Sequence, residues 1–292
     1  MKKYILLIVF CAALCAACEN RSREMETETL LLADSSANLH MCLNVELPLS
    51  QSAAAEAIRN SLLTLLDQQL SHLSYEDNER EFPPFSGDSR QSDPLLHYLL
   101  KEAFQRADST AAEDVSMRRA FILENAEMTE EQKQEALSYI PLWEYEFSIS
   151  RIGEGAHWIV FQSQNYQYTG GAHGGVWGAG CLTFDKRTGK RISPMIDPAQ
   201  TAAIQPLLVK GLQSYYAECD APMSAQELLD HLFIENGVIP LPGWTPYPNG
   251  EGLVFVYQQY EIASYAEGMP AFTLALDEVR PFLTPEAAKL FE

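Results

Sequence analysis

The chain has 292 residues, of which 40 are acidic and 20 basic, giving a formal net charge of −20. That length buries a substantial core without disulfide support, as one large domain or two small ones. The charge excludes nucleic acid as a partner, because phosphate binding needs clustered Lys and Arg, and it disfavours direct attraction to anionic lipid; a cationic protein, peptide or metal ion is drawn at long range.

Residues 1–18, MKKYILLIVFCAALCAAC, place Lys2 and Lys3 before an apolar run that ends in small residues, the layout of an export signal. No later stretch is long and apolar enough to span a bilayer. Ala16, Ala17 and Cys18 resemble the lipobox of bacterial lipoproteins, which implies removal of residues 1–17 and a lipid on Cys18. Position 19 is Glu, where Asp would resemble an inner-membrane retention signal, so the expectation is outer-membrane attachment, periplasmic or surface-facing. Cys15 stands where the commonest lipobox has leucine; the alternative is an ordinary secretory peptide that leaves Cys18 a thiol. Loss of Lys2 and Lys3 with the signal makes the net charge −22. Cys42, Cys181 and Cys219 remain, an odd number whose spacing supports neither a disulfide scaffold nor a zinc module. Cys42 and Cys181 read as small buried hydrophobes.

Residues 18–36 are polar and acidic and read as a tether, with the folded part over 37–292. In NLHMCLNVELPL, Leu39, Met41, Leu43, Val45 and Leu47 alternate, which predicts a strand with one buried face. From 53 to 73 the period changes: Ile58, Leu62, Leu65, Leu66, Leu70 and Leu73 form the stripe of an amphipathic helix. A loop carrying Pro83, Pro84 and Pro94 follows. The helical section 95–140 reads as one helix over Leu95–Ala107 and a second over Ser116–Ile140, interrupted where Thr129 and Gln132 form a capping box; Pro141 closes it. Trp143, Tyr145, Phe147 and Ile149 share one side of a strand that pairs, through the turn at Gly153–Gly155, with HWIVFQSQNYQY. WGAGCLTFD, two amphipathic helices over 199–219 and 224–233, and the strands EGLVFVYQQYEI and PAFTLALDEV complete an α+β fold. A mainly antiparallel sheet is expected, with helices packed on one side and the helical section between two sheet-forming parts.

The stretch YQYTGGAHGG concentrates the functional question. Gly170, Gly171, Gly174 and Gly175 permit positive φ, and His173 is the group there with acid–base chemistry. NYQYTGGAHG, LTFDKRTGK and LVFVYQQYEIASYAEGMPAFTLALDEVRPFL together resemble the bacterial DUF3298 family, including the extracellular part of RsiV-like anti-sigma factors. The resemblance spans 142–283, and 38–75 resembles the DUF4163-like companion segment. It implies an envelope-facing module, which in RsiV-like members binds lysozyme. No cytoplasmic sigma-binding part or deacetylase domain accompanies the module, so neither sigma release nor deacetylation is expected. Residue by residue the resemblance singles out Tyr168, Gly170, Gly171, His173 and Gly174, then Phe184, Asp185 and Gly189, then Tyr260, Ile262, Tyr265 and Gly268.

As an enzyme, the chain would use His173 as a base oriented by Asp185 or Glu261, but the sequence supplies no nucleophile elbow and no phosphate loop. As a metal site it would pair His157 and His173 with Glu154 or Asp185, at a spacing that fixes nothing. As a loop residue, His173 hydrogen-bonds neighbouring backbone. The reading taken is a non-catalytic binding lipoprotein without cofactor or metal, with Tyr168, His173, Tyr260 and Tyr265 as its candidate surface. Gly170, Gly171, Gly174, Gly175, Gly189 and Gly268 set its loop geometry. Candidate partners are an envelope protein, a cationic protein such as lysozyme, or a peptidoglycan fragment, with the membrane reached through the lipid. A structural or assembly lipoprotein, and after it a cell-wall hydrolase, are the alternatives.

Overall fold

The computed structural model describes residues 24–73, 80–170, 175–219 and 221–292. The signal segment with Cys18, and Gly171, His173 and Gly174 of the glycine loop, lie outside the described residues. The first sheet has five strands in chain order: β1 (Thr27–Ser35), β2 (Leu39–Pro48), β3 (Trp143–Glu154), β4 (Trp158–Tyr168) and β5 (Val176–Asp185). Only β2 and β3 run parallel, because the helical section α1 (Ala53–Leu70), α2 (Ser92–Glu124) and α3 (Glu130–Ser138) carries the chain between them. The remaining pairs are antiparallel.

The alternation in β2 does what a period of two requires. Leu39, Met41, Leu43, Val45 and Leu47 are all fully buried, as is the facing row Phe147 and Ile149 of β3, and both lie under Ile58, Leu62 and Leu66 of α1 and Leu96 and Leu99 of α2. Ser52 caps α1 by accepting from Ala55 N at 3.2 Å.

Three expectations change. The tether expected over 18–36 includes a strand: Thr27–Ser35 pairs along its whole length with β2, and Leu30 and Leu32 pack on the core. The brief leucine run supplies that packing, and the free edge of β2 supplies backbone partners. The two helices expected at 95–107 and 116–140 are divided differently: α2 is continuous to Glu124, and α3 follows it. No Gly or Pro lies between 95 and 124, and Ala107, Ala111 and Val115 keep the buried stripe running across the expected gap. The break falls where the Thr129 capping box starts α3. The last two strands are also shorter than read, because EGLVFVYQQYEI leaves the sheet after Val256 and PAFTLALDEV turns helical at Leu276.

A second core forms around α4 (Thr201–Glu218), α5 (Ala225–His231) and a three-stranded antiparallel sheet, β6 (Tyr247–Pro248), β7 (Gly252–Val256) and β8 (Ala271–Ala275). β4 belongs to both cores. Its Ile159 and Phe161 join the first, while Trp158 and Val160 join the second; on β5, Leu182 and Phe184 face one and Cys181 the other. The fold is α+β with two sheets, mostly antiparallel. Cys42, Cys181 and Cys219 are free thiols, and burial pushes the Cys181 thiol up to about 12. Among the described residues, no helix is long and apolar enough to cross a membrane.

Candidate binding site

The segment after β7 turns back at once, and the turn is built around one carboxylate. Glu261 N donates to Gln258 O at 3.1 Å, while the Glu261 side chain accepts from Gln258 N at 2.7 Å and from Gly243 N at 2.6 Å. Between these anchors stands Tyr260 at φ 64°. A bulky residue in the left-handed region is uncommon and costs about 1–2 kcal/mol. Its neighbours Tyr257 and Ile262 are fully buried, whereas Tyr260 is 69% exposed. The turn therefore presents the ring to solvent from a fixed base.

Tyr265 lies beside it, ring centroids 5.7 Å apart at 33°, and is 37% exposed. Phe233, whose amide donates to Ile262 O at 2.8 Å, is 62% exposed on the adjoining stretch of chain. Two large rings thus stand against each other on a surface where burial would otherwise have been favourable, with a third exposed ring on the neighbouring backbone.

A network that sequence reading did not find holds the platform from beneath. Glu267 accepts from Tyr216 Oη of α4 at 2.7 Å, from Ser264 Oγ at 2.8 Å and from Ser264 N at 3.2 Å, and pairs with His231 Nε2 of α5 at 2.6 Å. Tyr215 Oη donates to Glu267 O at 2.7 Å. Burial alone would raise the Glu267 carboxyl, but the hydrogen bonds from His231, Tyr216 and Ser264 outweigh it and hold the group at about 2. Burial, then the bond to Glu267, pushes the Tyr216 phenol upward. Gly268 closes the segment at φ 73°. The only signals in the sequence are Ser264 three residues before Glu267 and the Tyr215–Tyr216 pair; the fold brings Tyr216 to Glu267 across 51 positions and His231 across 36.

Of the four expected surface residues, Tyr260 and Tyr265 come together. Tyr168 ends β4, in register with Glu144. His173 lies outside the described residues. The loop geometry is clearest at Gly170, which has φ 84° and leaves no room for a Cβ against Pro141; its carbonyl and that of Thr169 accept from Arg118 of α2 at 3.3 and 3.2 Å. Gly175 lies against the ring of Tyr166, where a Cβ would overlap it, and Gly189 has φ 72°.

The carboxylates considered for chemistry have other duties. Asp185 binds Arg187, which holds its carboxyl below the usual range. Glu154 pairs with Arg151 and Lys186, and Glu261 clamps the Tyr260 turn. No group of three or more metal-ligating side chains occurs among the described residues.

Residues 200–277 match the model of the DUF3298 family, a family of unknown function, and this region contains the whole Tyr260–Tyr265 platform with Glu267, His231 and Tyr216. The match is narrower than the 142–283 over which the sequence motifs resemble the family. A solved DUF3298-family structure from Bacteroides fragilis is similar over 93% of this chain and 99% of its own, with TM-score 0.62 and 14% identity. A DUF3298-family protein from Pseudomonas aeruginosa PAO1 is similar over 91% and 97%, with TM-score 0.54 and 14% identity. At that identity the likeness is one of fold. No curated protein matches the chain.

Proposed function

We propose that the chain is a lipid-anchored envelope protein whose DUF3298 region is a non-catalytic binding module, with Tyr260 and Tyr265 as its contact surface. The observation that carries this reading is the display of Tyr260: a strained backbone, two amide clamps from Glu261 and a ring left in solvent beside a second ring. Strain of this kind persists where surrounding structure over-determines it, and it clusters at sites of function. Tyrosine gives broad contact with protein or sugar at small ordering cost. The net charge of −20 favours a cationic protein such as lysozyme, while stacked rings equally suit a cell-wall glycan. The RsiV-like character of 142–283, the DUF4163-like character of 38–75 and lipidation at Cys18 belong to the same proposal.

Binding of lysozyme and of purified muropeptides is measured by calorimetry on the chain from residue 19, which retains every described residue, alongside the detergent-solubilised full chain. The Tyr260→Ser, Tyr265→Ser double variant should melt as the wild type does and bind at least about tenfold more weakly, roughly 1.4 kcal/mol. Undiminished binding by that variant, or hydrolysis of muropeptides by the wild type, overturns the reading. Intact mass of membrane-extracted protein should show a diacylglyceryl group on an N-terminal Cys18; an unmodified Cys18 refutes the anchor.

A further inference from the structure

A second surface lies outside the DUF3298 match, on the helical section. Buried residues of α2 end at Val115, and α3 has none. Past Val115 the helix therefore continues beyond the core, with α3 alongside it and the residues that follow β4 reached through Arg118. The two helices leave a cleft of about 400 Å³ between them, lined by Met117, Phe121 and Ile122 of α2 and by Tyr139, Ile140 and Pro141 after α3. Met117 is 65% exposed, Phe121 73% and Tyr139 73%, so three large side chains on one cleft face water, a concentration that marks interaction sites. The cleft has a fixed floor at one end. Pro141 packs against Gly170, and Arg118 ties α2 to the Thr169 and Gly170 carbonyls.

The rim is acidic. Residues 110–141 hold seven acids and three cations. Two of those cations are committed within the chain: Arg118 to Asp114 at 2.7 Å and to the two carbonyls, and Lys133 to Glu130 at 3.4 Å. Glu124, Glu127, Glu131 and Glu135 remain exposed along the same stretch. A second copy of this chain would bring its own acidic helices against these, whereas a segment with apolar residues on one face and Lys or Arg on the other matches both the apolar lining and the exposed glutamates of the helices that form it.

We infer that the α2–α3 cleft docks a cationic amphipathic helical segment of a partner protein, laid across Met117, Phe121 and Tyr139 with its basic residues toward the glutamates. This site is separate from the Tyr260 platform, and either can stand without the other.

The probe is a fluorescent synthetic peptide of leucine and lysine at helical spacing, followed by anisotropy on the chain from residue 19. The control is the same peptide with glutamate in place of lysine. Phe121→Ser with Tyr139→Ser removes only exposed rings, so the melting temperature should hold while affinity for the lysine peptide falls about tenfold or more. Glu124→Lys with Glu127→Lys should weaken binding to a similar degree. Several results overturn the inference: no binding by the wild type, equal binding by the Phe121/Tyr139 variant, or equal uptake of the glutamate peptide. Self-association of the wild type that the same variant abolishes also overturns it, since the cleft would then be covered by a second copy.

Discussion

Tyr260 and Gly189 both sit at positive φ, for opposite reasons. At Gly189, φ 72° closes the turn after β5, with Gly189 N donating to Asp185 O at 2.7 Å, and the turn presses on the first turn of α1, where a Cβ would overlap Ala54 O. Gly189→Ala should therefore cost about 1–3 kcal/mol in denaturant unfolding, since both the left-handed backbone and the close approach oppose a side chain; an unchanged midpoint would remove this account. At Tyr260 a side chain is kept where glycine would be easier. Tyr260→Gly should leave stability equal or raise it by about 1 kcal/mol, even as ligand binding falls, a trade of stability for display. A loss of more than about 1 kcal/mol in Tyr260→Gly would show that the ring serves the fold. The sequence revealed part of this. The glycines of YTGGAHGG and DKRTGK announced turns because glycine is the usual tenant of positive φ, and Gly170 and Gly189 hold it. Tyr260 gave no such sign, because nothing local in YQQYEI distinguishes a strand from a clamped turn; one of the two amides that clamp Glu261 is Gly243 N, eighteen positions away.

The α4, α5 and Ser264–Gly268 elements pack on the second core and also meet at one carboxylate, which gives their packing a pH signature. Glu267 sits at about 2 in the folded chain, below the ordinary carboxylate value of 4.5. Its contribution is thus fully present above that ordinary value and is lost as pH falls from there through about 2. Glu267→Gln should be less stable than the wild type near neutrality by about 1–3 kcal/mol, and the gap should close in acid, where the wild-type carboxyl also becomes neutral. Urea midpoints for both proteins across that range test it, and a gap that stays constant with pH contradicts it. Local chemistry made the caps of α3 and α5 readable: Thr129 with Gln132 and Ser224 with Glu227, each pair three residues apart, form capping boxes. The network itself was not readable, because His231 and Tyr216 approach Glu267 only once α4 and α5 pack on the second core.

Across the whole molecule, the question is whether two cores make two folding units. The sequence showed β2 as a one-faced strand and β4 as WIVF, a continuous apolar run, and the difference has a physical cause: β2 has one covered face, whereas β4 is covered on both. A strand shared in this way passes the loss of either core to the other. β2 and α1 cannot bury their own apolar surface alone. Without them, β3 presents an unpaired edge, and Trp143, Tyr145, Phe147 and Ile149 lose the cover of α1 and α2. A fragment spanning 142–292 should accordingly unfold at a lower midpoint than the chain from residue 19, with a broadened transition and association through the exposed β3 edge. Adding residues 24–73 in trans should restore part of the stability if β2 can reoccupy its parallel register, Leu39 opposite Trp143 through Val45 opposite Ile149. A 142–292 fragment that unfolds in one sharp transition at the longer chain's midpoint would show that the second core and β3–β5 stand by themselves, and the coupling assigned to β4 would have to be abandoned.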